Sequence, residues 1–169
     1  IIVNAFDNHN RIKQKRANGE KLKKQTYIKI DVDRETDTIA IENDGEGIEV
    51  YIHPKDKIYV PQMVFFKLLT SENYDDTEER TTGGRNGFGA KLTAIFSKNF
   101  CIETVDRIRK IKYTQACREN MSQLSEPIIK NKYSKSAYTR IVFTPDYSRF
   151  NMEGITDDFA ALLEKRAYD

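Results

Sequence analysis

The chain has 169 residues, of which 38% are hydrophobic and 32% are charged, and its formal net charge at pH 7 is +2. This length suits one compact domain that can bury a core. So small a net charge is not that of a bulk-basic nucleic-acid binder. No apolar run approaches membrane-spanning length, so we expect no membrane partner. Cys101 and Cys117 are too few for a disulfide framework or a zinc site and are predicted to be free thiols.

The first ten residues are predicted to form part of a helix, in which Asn4 and Asn8 lie one turn apart and share a face. Amide oxygens suit a hard cation such as Mg²⁺, which keeps several waters and shares phosphate oxygens. Surface or capping roles explain each asparagine equally well. The next stretch, residues 11–24, carries seven cations and one acidic residue and is called the basic segment below. We interpret it as a helix end that runs into a solvated loop, with phosphate contact as the alternative.

Alternating apolar and polar residues predict a β-hairpin over residues 27–41, which leads into Asn-Asp-Gly-Glu-Gly at residues 43–47. An amide side chain at the end of a strand can hydrogen-bond the exocyclic amine of a purine, and the glycines leave space for a flat base. Taken alone, this pattern is more typical of an ordinary turn.

Pro61 is predicted to open a helix whose apolar face comprises Val64, Phe65, Leu68 and Leu69. Residues 70–89 follow as a polar, glycine-rich loop, whose length is unusual in a compact domain unless the loop has a function. The remaining predicted elements are a short helix at 90–97, strands at 100–105, 111–116 and 139–144, a Lys-rich connection near 130–137, and a last helix capped by Thr156. Together these elements predict one α+β domain over residues 1–169, a two-layer sandwich with helices on one face of a mostly antiparallel sheet.

The strongest local signal is Thr82–Leu92, where four glycines precede an apolar helix pattern. Glycine lets backbone amides approach a ligand, and N–H groups at a helix N-terminus form an anion cradle. Lys91, one turn into the helix, would add a positive charge. The spacing matches neither a P-loop nor a dinucleotide fingerprint. We predict phosphate binding here, with a flexible loop before a helix as the alternative.

These three features together, the asparagine helix, the (Asp/Asn)-x-Gly-x-Gly turn and the Gly-x-x-Gly-x-Gly lid, resemble the GHKL ATPase fold (the Bergerat type). Type II topoisomerases share that fold with a heat-shock chaperone, mismatch-repair ATPases and histidine kinases. The finer resemblance is to the N-terminal ATPase domain of eukaryotic-type DNA topoisomerase II, and it extends along the whole chain. The stretches that carry it are Ile2–Asn8, Tyr59–Pro61, Leu68–Asp76, Thr82–Leu92 and Arg166–Asp169.

The resemblance implies a site for ATP and Mg²⁺ and assigns roles to the matching residues. Asn4 would be the magnesium ligand that bridges the ATP phosphates, and Asn8 would lie beside the sugar and phosphate. Asn43 would recognise adenine, with the Thr139 hydroxyl supporting it. The other implied ATP-binding residues are Ser71, Asn73, Gly84, Arg85, Asn86, Gly87, Phe88, Gly89, Ala90 and Lys91.

The resemblance also implies an enzyme in which ATP binding and hydrolysis close a dimer gate and drive passage of double-stranded DNA. DNA would be its partner through the full-length enzyme, a homodimer its assembly and the nucleus its location. In that family the glutamate that activates water directly precedes the Ile-x-Val-Asn stretch, and a lysine that senses the γ-phosphate comes from a following transducer domain. We therefore expect residues 1–169 to bind ATP without hydrolysing it alone, and we assign no catalytic residue. The alternatives are another GHKL ATPase, of mismatch-repair or chaperone type, and a non-catalytic DNA-binding module that uses the basic segment.

Overall fold

The computed structural model of the chain describes residues 1–67 and 88–168. The helices in these ranges are α1 (Ile2–Ala17), α2 (Val60–Phe65), α3 (Phe88–Ile95) and α4 (Asp157–Tyr168), and a short 3₁₀ helix spans Tyr147–Phe150. The strands are β1 (Ile28–Asp33), β2 (Thr38–Asp44), β3 (Ser97–Asp106), β4 (Ile111–Arg118), β5 (Gln123–Leu124), β6 (Ile128–Lys130) and β7 (Tyr138–Pro145). Within these ranges, no helix has the length and apolar character that a bilayer crossing requires.

The described strands form one antiparallel sheet in the order β1-β2-β7-β3-β4-β5, and β6 also pairs with β4. Its register brings Asn43 of β2 opposite Thr139 of β7, and Thr139 opposite Thr104 of β3. Directly opposed residues point to the same face of a sheet. The three polar side chains therefore form a row across three neighbouring strands.

Helices pack on one face of this sheet. A hydrophobic cluster that includes Ile39 and Ile41 of β2 packs against Phe159 of α4, and a second cluster that includes Phe65 packs around Phe100 of β3. The opposite face carries paired charges, with Glu42 lying 3.6 Å from Arg140 and Glu103 lying 2.6 Å from Lys112. An apolar face under helices and a charged open face define the predicted two-layer α+β architecture.

Two predicted helix boundaries agree with the structure. The basic segment begins inside α1, which ends at Ala17, and Gly19 follows with a φ of +91° that favours glycine. At the other end of the chain, Thr156 Oγ1 accepts a hydrogen bond of 3.2 Å from the backbone N–H of Phe159, so Thr156 caps α4 as predicted.

The central helices differ from the prediction. Helix α2 ends at Phe65, and Val64 on its predicted apolar face is 38% exposed. Phe66, which directly follows α2, is buried instead, with its ring 5.8 Å from that of Phe100. Phe65, Phe66 and Phe100 together form an aromatic group in the core at the end of α2. The remaining members of that predicted face, Leu68 and Leu69, lie outside the described residues.

Helix α3 starts at Phe88, two residues before the predicted position, and ends at Ile95. Strand β3 then begins at Ser97, earlier than the prediction of residue 100. Strands β5 and β6 are not predicted from the sequence. They span two and three residues, which is too short for an alternating pattern to be recognised.

Candidate functional site

Asn4 and Asn8 lie on successive turns of α1, and only Asn8 is tied to the rest of the described chain. Asn8 Nδ2 donates to Gln25 Oε1 at 2.8 Å, and Asn8 Oδ1 accepts from Arg11 Nη2 at 2.7 Å. Asn4 is exposed, and its side chain makes no hydrogen bond to the described residues. Within residues 1–67 and 88–168, the amide oxygen of Asn4 therefore has no donor, whereas the Asn8 oxygen accepts from Arg11.

Asn43 stands one residue before the end of β2, and both of its amide hydrogens are used. Its Nδ2 donates to Gln25 Oε1 at 3.2 Å and to the carbonyl oxygen of Asp44 at 3.1 Å. Asn43 Oδ1 has no partner among the residues that the structure describes. An amide oxygen without such a partner can accept a hydrogen bond from a ligand or a water beside it.

Gln25 joins these two asparagines and is not among the residues predicted for the site from the sequence. Its side chain is buried, with 1% exposure, and its Nε2 donates to the carbonyl oxygen of Ala5 in α1 at 3.1 Å. Its Oε1 accepts from both Asn8 and Asn43. In the sequence, Gln25 directly follows the polar and charged residues of the basic segment, and no pattern separates a buried glutamine from its exposed neighbours.

Thr139 lies beside Asn43 in the sheet, at the position predicted for its support of Asn43. Its hydroxyl oxygen is 3.0 Å from that of Thr104, which is fully buried. Thr104 Oγ1 donates to the carbonyl oxygen of Tyr138 at 3.1 Å and accepts from the N–H of Ile48 at 2.9 Å. Since Thr104 has one hydroxyl hydrogen and Tyr138 takes it, Thr139 is the donor in the contact between the two threonines. The lone pairs of Thr139 remain open to a ligand or a water.

The turn after Asn43 is pressed against β3. Gly45 and Gly47 have φ angles of +121° and +72°, and a Cβ on Gly47 would lie 1.9 Å from the carbonyl oxygen of Val105. Only glycine fits at Gly47, because a side chain there would meet backbone atoms. The predicted (Asp/Asn)-x-Gly-x-Gly turn is therefore a close contact between two parts of the backbone.

Asp44 anchors the same turn from the other side of β2. Its carboxylate accepts from the backbone N–H and the hydroxyl of Thr26, both at 2.7 Å, and from the N–H of Tyr27 at 3.1 Å. Burial favours the neutral acid, but these hydrogen bonds and the nearby Lys23 outweigh it and hold the pKa of Asp44 below its ordinary value. Asp44 is thus an ionised structural anchor.

Glu46 connects the turn to the basic segment. Its carboxylate accepts from the backbone N–H of Lys23 and from Arg107 Nε, the latter at 2.5 Å. A surface cavity of about 530 Å³ lies between Arg107 and the exposed loop, with Arg16 and Lys21 also in its lining. The interpretation of a helix end that runs into an exposed loop fits this arrangement. The alternative of phosphate contact stays a prediction, since the acidic Glu20 also lines the cavity.

The predicted phosphate lid is described only where it enters α3. Phe88, Gly89, Ala90 and Lys91 form the first turn of that helix, in which Ala90 is buried and Lys91 is half-buried. A Cβ on Gly89 would meet nothing within 4 Å, so no described neighbour requires glycine there. The remaining residues of the predicted lid, Gly84, Arg85, Asn86 and Gly87, lie outside the described residues, as do the other two implied ATP-binding residues, Ser71 and Asn73.

Metal binding by the usual acidic or imidazole clusters is not seen in residues 1–67 and 88–168. No group of three or more His, Cys, Asp or Glu side chains in these ranges is arranged to hold an ion. A magnesium site on Asn4 would rest on one amide oxygen. That donor suits Mg²⁺, which retains several waters and takes phosphate oxygens from its substrate.

Comparisons with known proteins agree along the whole chain, although no protein-family model matches it. Over 169 residues the chain is 50% identical to "DNA topoisomerase 2" of Plasmodium falciparum, covering 100% of this chain and 12% of that relative. It is 46% identical to "DNA topoisomerase 2" of Arabidopsis thaliana, again over 100% of this chain and 11% of the relative. The chain thus spans about a tenth of the length of these relatives.

Solved structures give the same result in three dimensions. The ATPase region of Saccharomyces cerevisiae topoisomerase II matches with a TM-score of 0.83 and 40% identity, over 96% of this chain and 40% of that one. A second structure of that region, bound to ICRF-187 (dexrazoxane), matches equally well. The ATPase and transducer domains of DNA topoisomerase II from Balamuthia mandrillaris match with a TM-score of 0.80 and 40% identity, over 97% and 42% of the two chains. The chain therefore belongs to the topoisomerase II family, within the ATPase region that those structures contain.

Proposed function

We propose that the chain binds ATP together with Mg²⁺ at the end of the sheet where β2, β7 and β3 meet α1. The observation that carries this proposal is the row of Asn43, Thr139 and Thr104, in which Asn43 Oδ1 has no partner among the described residues. Membership of a family whose solved members include ATPase regions supports it.

Adenine recognition follows from the hydrogen-bonding state of this row. The exocyclic amine of adenine is a donor and matches the acceptor Asn43 Oδ1, while the lone pairs of Thr139 can accept a second hydrogen bond through a water. Guanine and hypoxanthine carry an oxygen at the same ring position, which would face the Asn43 oxygen and be rejected.

The phosphates would lie towards α1 and the N-terminus of α3. There Asn4 would bind Mg²⁺, and the ion would supply charge neutralisation for the phosphates. Backbone N–H groups of residues 84–89 and the Lys91 ammonium would bind the phosphate oxygens, as the family resemblance implies. Asn8, already held by Gln25 and Arg11, would lie beside the sugar.

In the whole protein this site would drive a type II DNA topoisomerase. ATP binding and hydrolysis would close a gate between two copies and power the passage of double-stranded DNA, in the nucleus. The relatives named DNA topoisomerase 2 support this assignment, since they align with the chain over its whole length at 46–50% identity. The same matches weigh against a mismatch-repair or chaperone ATPase and against a module that only binds DNA.

Calorimetric titration of the chain with a non-hydrolysable ATP analogue tests the proposal. We expect Asn43→Ala to weaken binding by about tenfold or more, which is about 1.4 kcal/mol. Asn4→Ala should weaken binding when Mg²⁺ is present and have little effect in EDTA. Asn10→Ala, an exposed asparagine on the same helix, is the matched control and should bind as the original does. A folded chain that does not bind the analogue would refute the ATP site.

A further inference from the structure

The buried side chain of Gln25 forms hydrogen bonds with both Asn8 and Asn43 of the proposed site. It is separated in sequence by 17 residues from Asn8 and by 18 from Asn43. It also reaches the backbone of α1 through Ala5. Gln25 thus links the helix that carries the predicted phosphate and magnesium residues to the strand that carries the predicted adenine residue.

The contact with Ala5 determines which way the Gln25 amide points. A backbone carbonyl oxygen can only accept a hydrogen bond, so the group that faces Ala5 at 3.1 Å must be the Gln25 Nε2 donor. Gln25 Oε1 then faces the other way, towards Asn8 and Asn43. Because that oxygen can only accept, both asparagines must present Nδ2 to it.

These donor and acceptor assignments determine which atom of the Asn43 amide faces a ligand. With Nδ2 turned towards Gln25, Asn43 Oδ1 points away from it and remains an acceptor. An asparagine free to rotate by half a turn about its terminal torsion would present a donor instead, since its amide oxygen and nitrogen have nearly the same shape. The carbonyl oxygen of Asp44 opposes that rotation too, at 3.1 Å.

We propose that Gln25 is a positioning residue that sets base specificity, because it holds the Asn43 amide with its oxygen towards the ligand. The inference rests on the proposed ATP site and adds the residue that makes this site choose a 6-aminopurine over a 6-oxopurine. Gln25 itself does not touch the nucleotide. Its effect is transmitted through the orientation of Asn43 and of Asn8.

The test compares the affinities for ATP and for ITP, which differ along the purine edge that faces Asn43. ATP has a 6-amino group and an unprotonated N1, whereas ITP has a 6-oxo group and an N1–H. We expect the original chain to prefer ATP by about tenfold or more. Gln25→Met keeps the length of the side chain and removes both polar groups, so the preference should fall by about threefold or more. Gln25→Glu keeps an acceptor for both asparagines and should retain most of the preference.

Gln115→Met is the matched control. Gln115 is as buried as Gln25, at 2% against 1% exposure, and its Nε2 also donates to a backbone carbonyl, that of Ser125 at 2.8 Å. The control should lower stability to a similar degree and leave the ratio of ATP to ITP affinity unchanged. A general loss of packing would change both variants alike, whereas a positioning role changes the ratio only in Gln25→Met.

A folded Gln25→Met chain with the original affinity ratio would overturn the inference and leave the ATP site intact. An original chain that binds neither nucleotide would overturn the proposed function and the inference with it. A measurement without variants or nucleotide is hydrogen exchange of side-chain amides by NMR. The Asn43 amide hydrogens should exchange much more slowly than those of the exposed Asn10, and equally fast exchange would contradict the proposed hold on Asn43.

Discussion

A Cβ atom added to Gly47 would lie 1.9 Å from the carbonyl oxygen of Val105. The backbone of the turn after Asn43 therefore rests directly on the backbone of β3, with no side chain between them. Neither side can move away easily, because Val105 is paired with Lys112 in the sheet and Gly47 has a φ of +72°. This contact holds the turn after β2 against β3, while β7 lies between the two strands in the sheet and pairs directly with Asn43.

Gly47→Ala is expected to destabilise the fold by about 2 kcal/mol or more, because the new methyl group meets backbone and the φ angle is unfavourable for alanine. Urea denaturation measures this free energy of unfolding. Gly89→Ala is the control, since its Cβ would meet no atom of the described residues within 4 Å and it lies within α3. Alanine should stabilise that helix by up to about 1 kcal/mol. Equal effects of the two substitutions would contradict the steric argument.

Substitutions of the two threonines in the row, Thr104 and Thr139, should affect different quantities: the first the free energy of unfolding and the second the binding of the ATP analogue. Thr104→Val leaves the N–H of Ile48 and the carbonyl of Tyr138 without their buried partner, and we expect a loss of about 1–3 kcal/mol in the free energy of unfolding. Thr139→Val loses only one hydroxyl contact at a half-buried position and should cost less than about 1 kcal/mol. Its main effect should be weaker binding of the ATP analogue, measured by calorimetry. Unchanged binding would remove Thr139 from the adenine site.

Asp106 should make stability depend on pH. It is 2% exposed and accepts hydrogen bonds from the N–H groups of Val50, Ile108 and Arg109. Burial favours the neutral acid, but these hydrogen bonds and the Arg109 guanidinium outweigh it and hold the pKa of Asp106 below its ordinary value. A depressed pKa contributes stability that is fully present above the unfolded pKa of about 3.9 and is lost as pH falls through the folded pKa.

Asp106→Asn should therefore lower the free energy of unfolding by about 2 kcal/mol at pH 7, and the difference should narrow below about pH 4. Urea denaturation from pH 7 to pH 3 measures both quantities. Asp31→Asn is the control, because Asp31 is exposed and makes an ion pair with Lys29 at 2.9 Å that should contribute less than about 1 kcal/mol. A difference for Asp106→Asn that stays constant over this range would show that its carboxylate charge is not what stabilises the fold.

Local sequence patterns predicted most of the secondary structure, since periodicity is a property of neighbouring residues. The hairpin predicted at 27–41 corresponds to β1 and β2, and the helix predicted to carry Asn4 and Asn8 corresponds to α1. The exposure of Val64 could not be predicted in this way. It depends on where α2 ends against Phe100, and Phe100 comes much later in the chain.

At the site, local sequence patterns alone place Asn4 and Asn8 on one helix face, Asn43 near the end of a strand, and glycines directly after that strand. These are consequences of helix and strand geometry over a few residues. The packing of distant segments is needed to bury Gln25 between Asn8 and Asn43 and to fix which atoms of the two asparagines face it. The direction of an amide is set by its hydrogen-bond partners, and those partners come from α1 and β2, which are brought together only when the sheet and its helices pack.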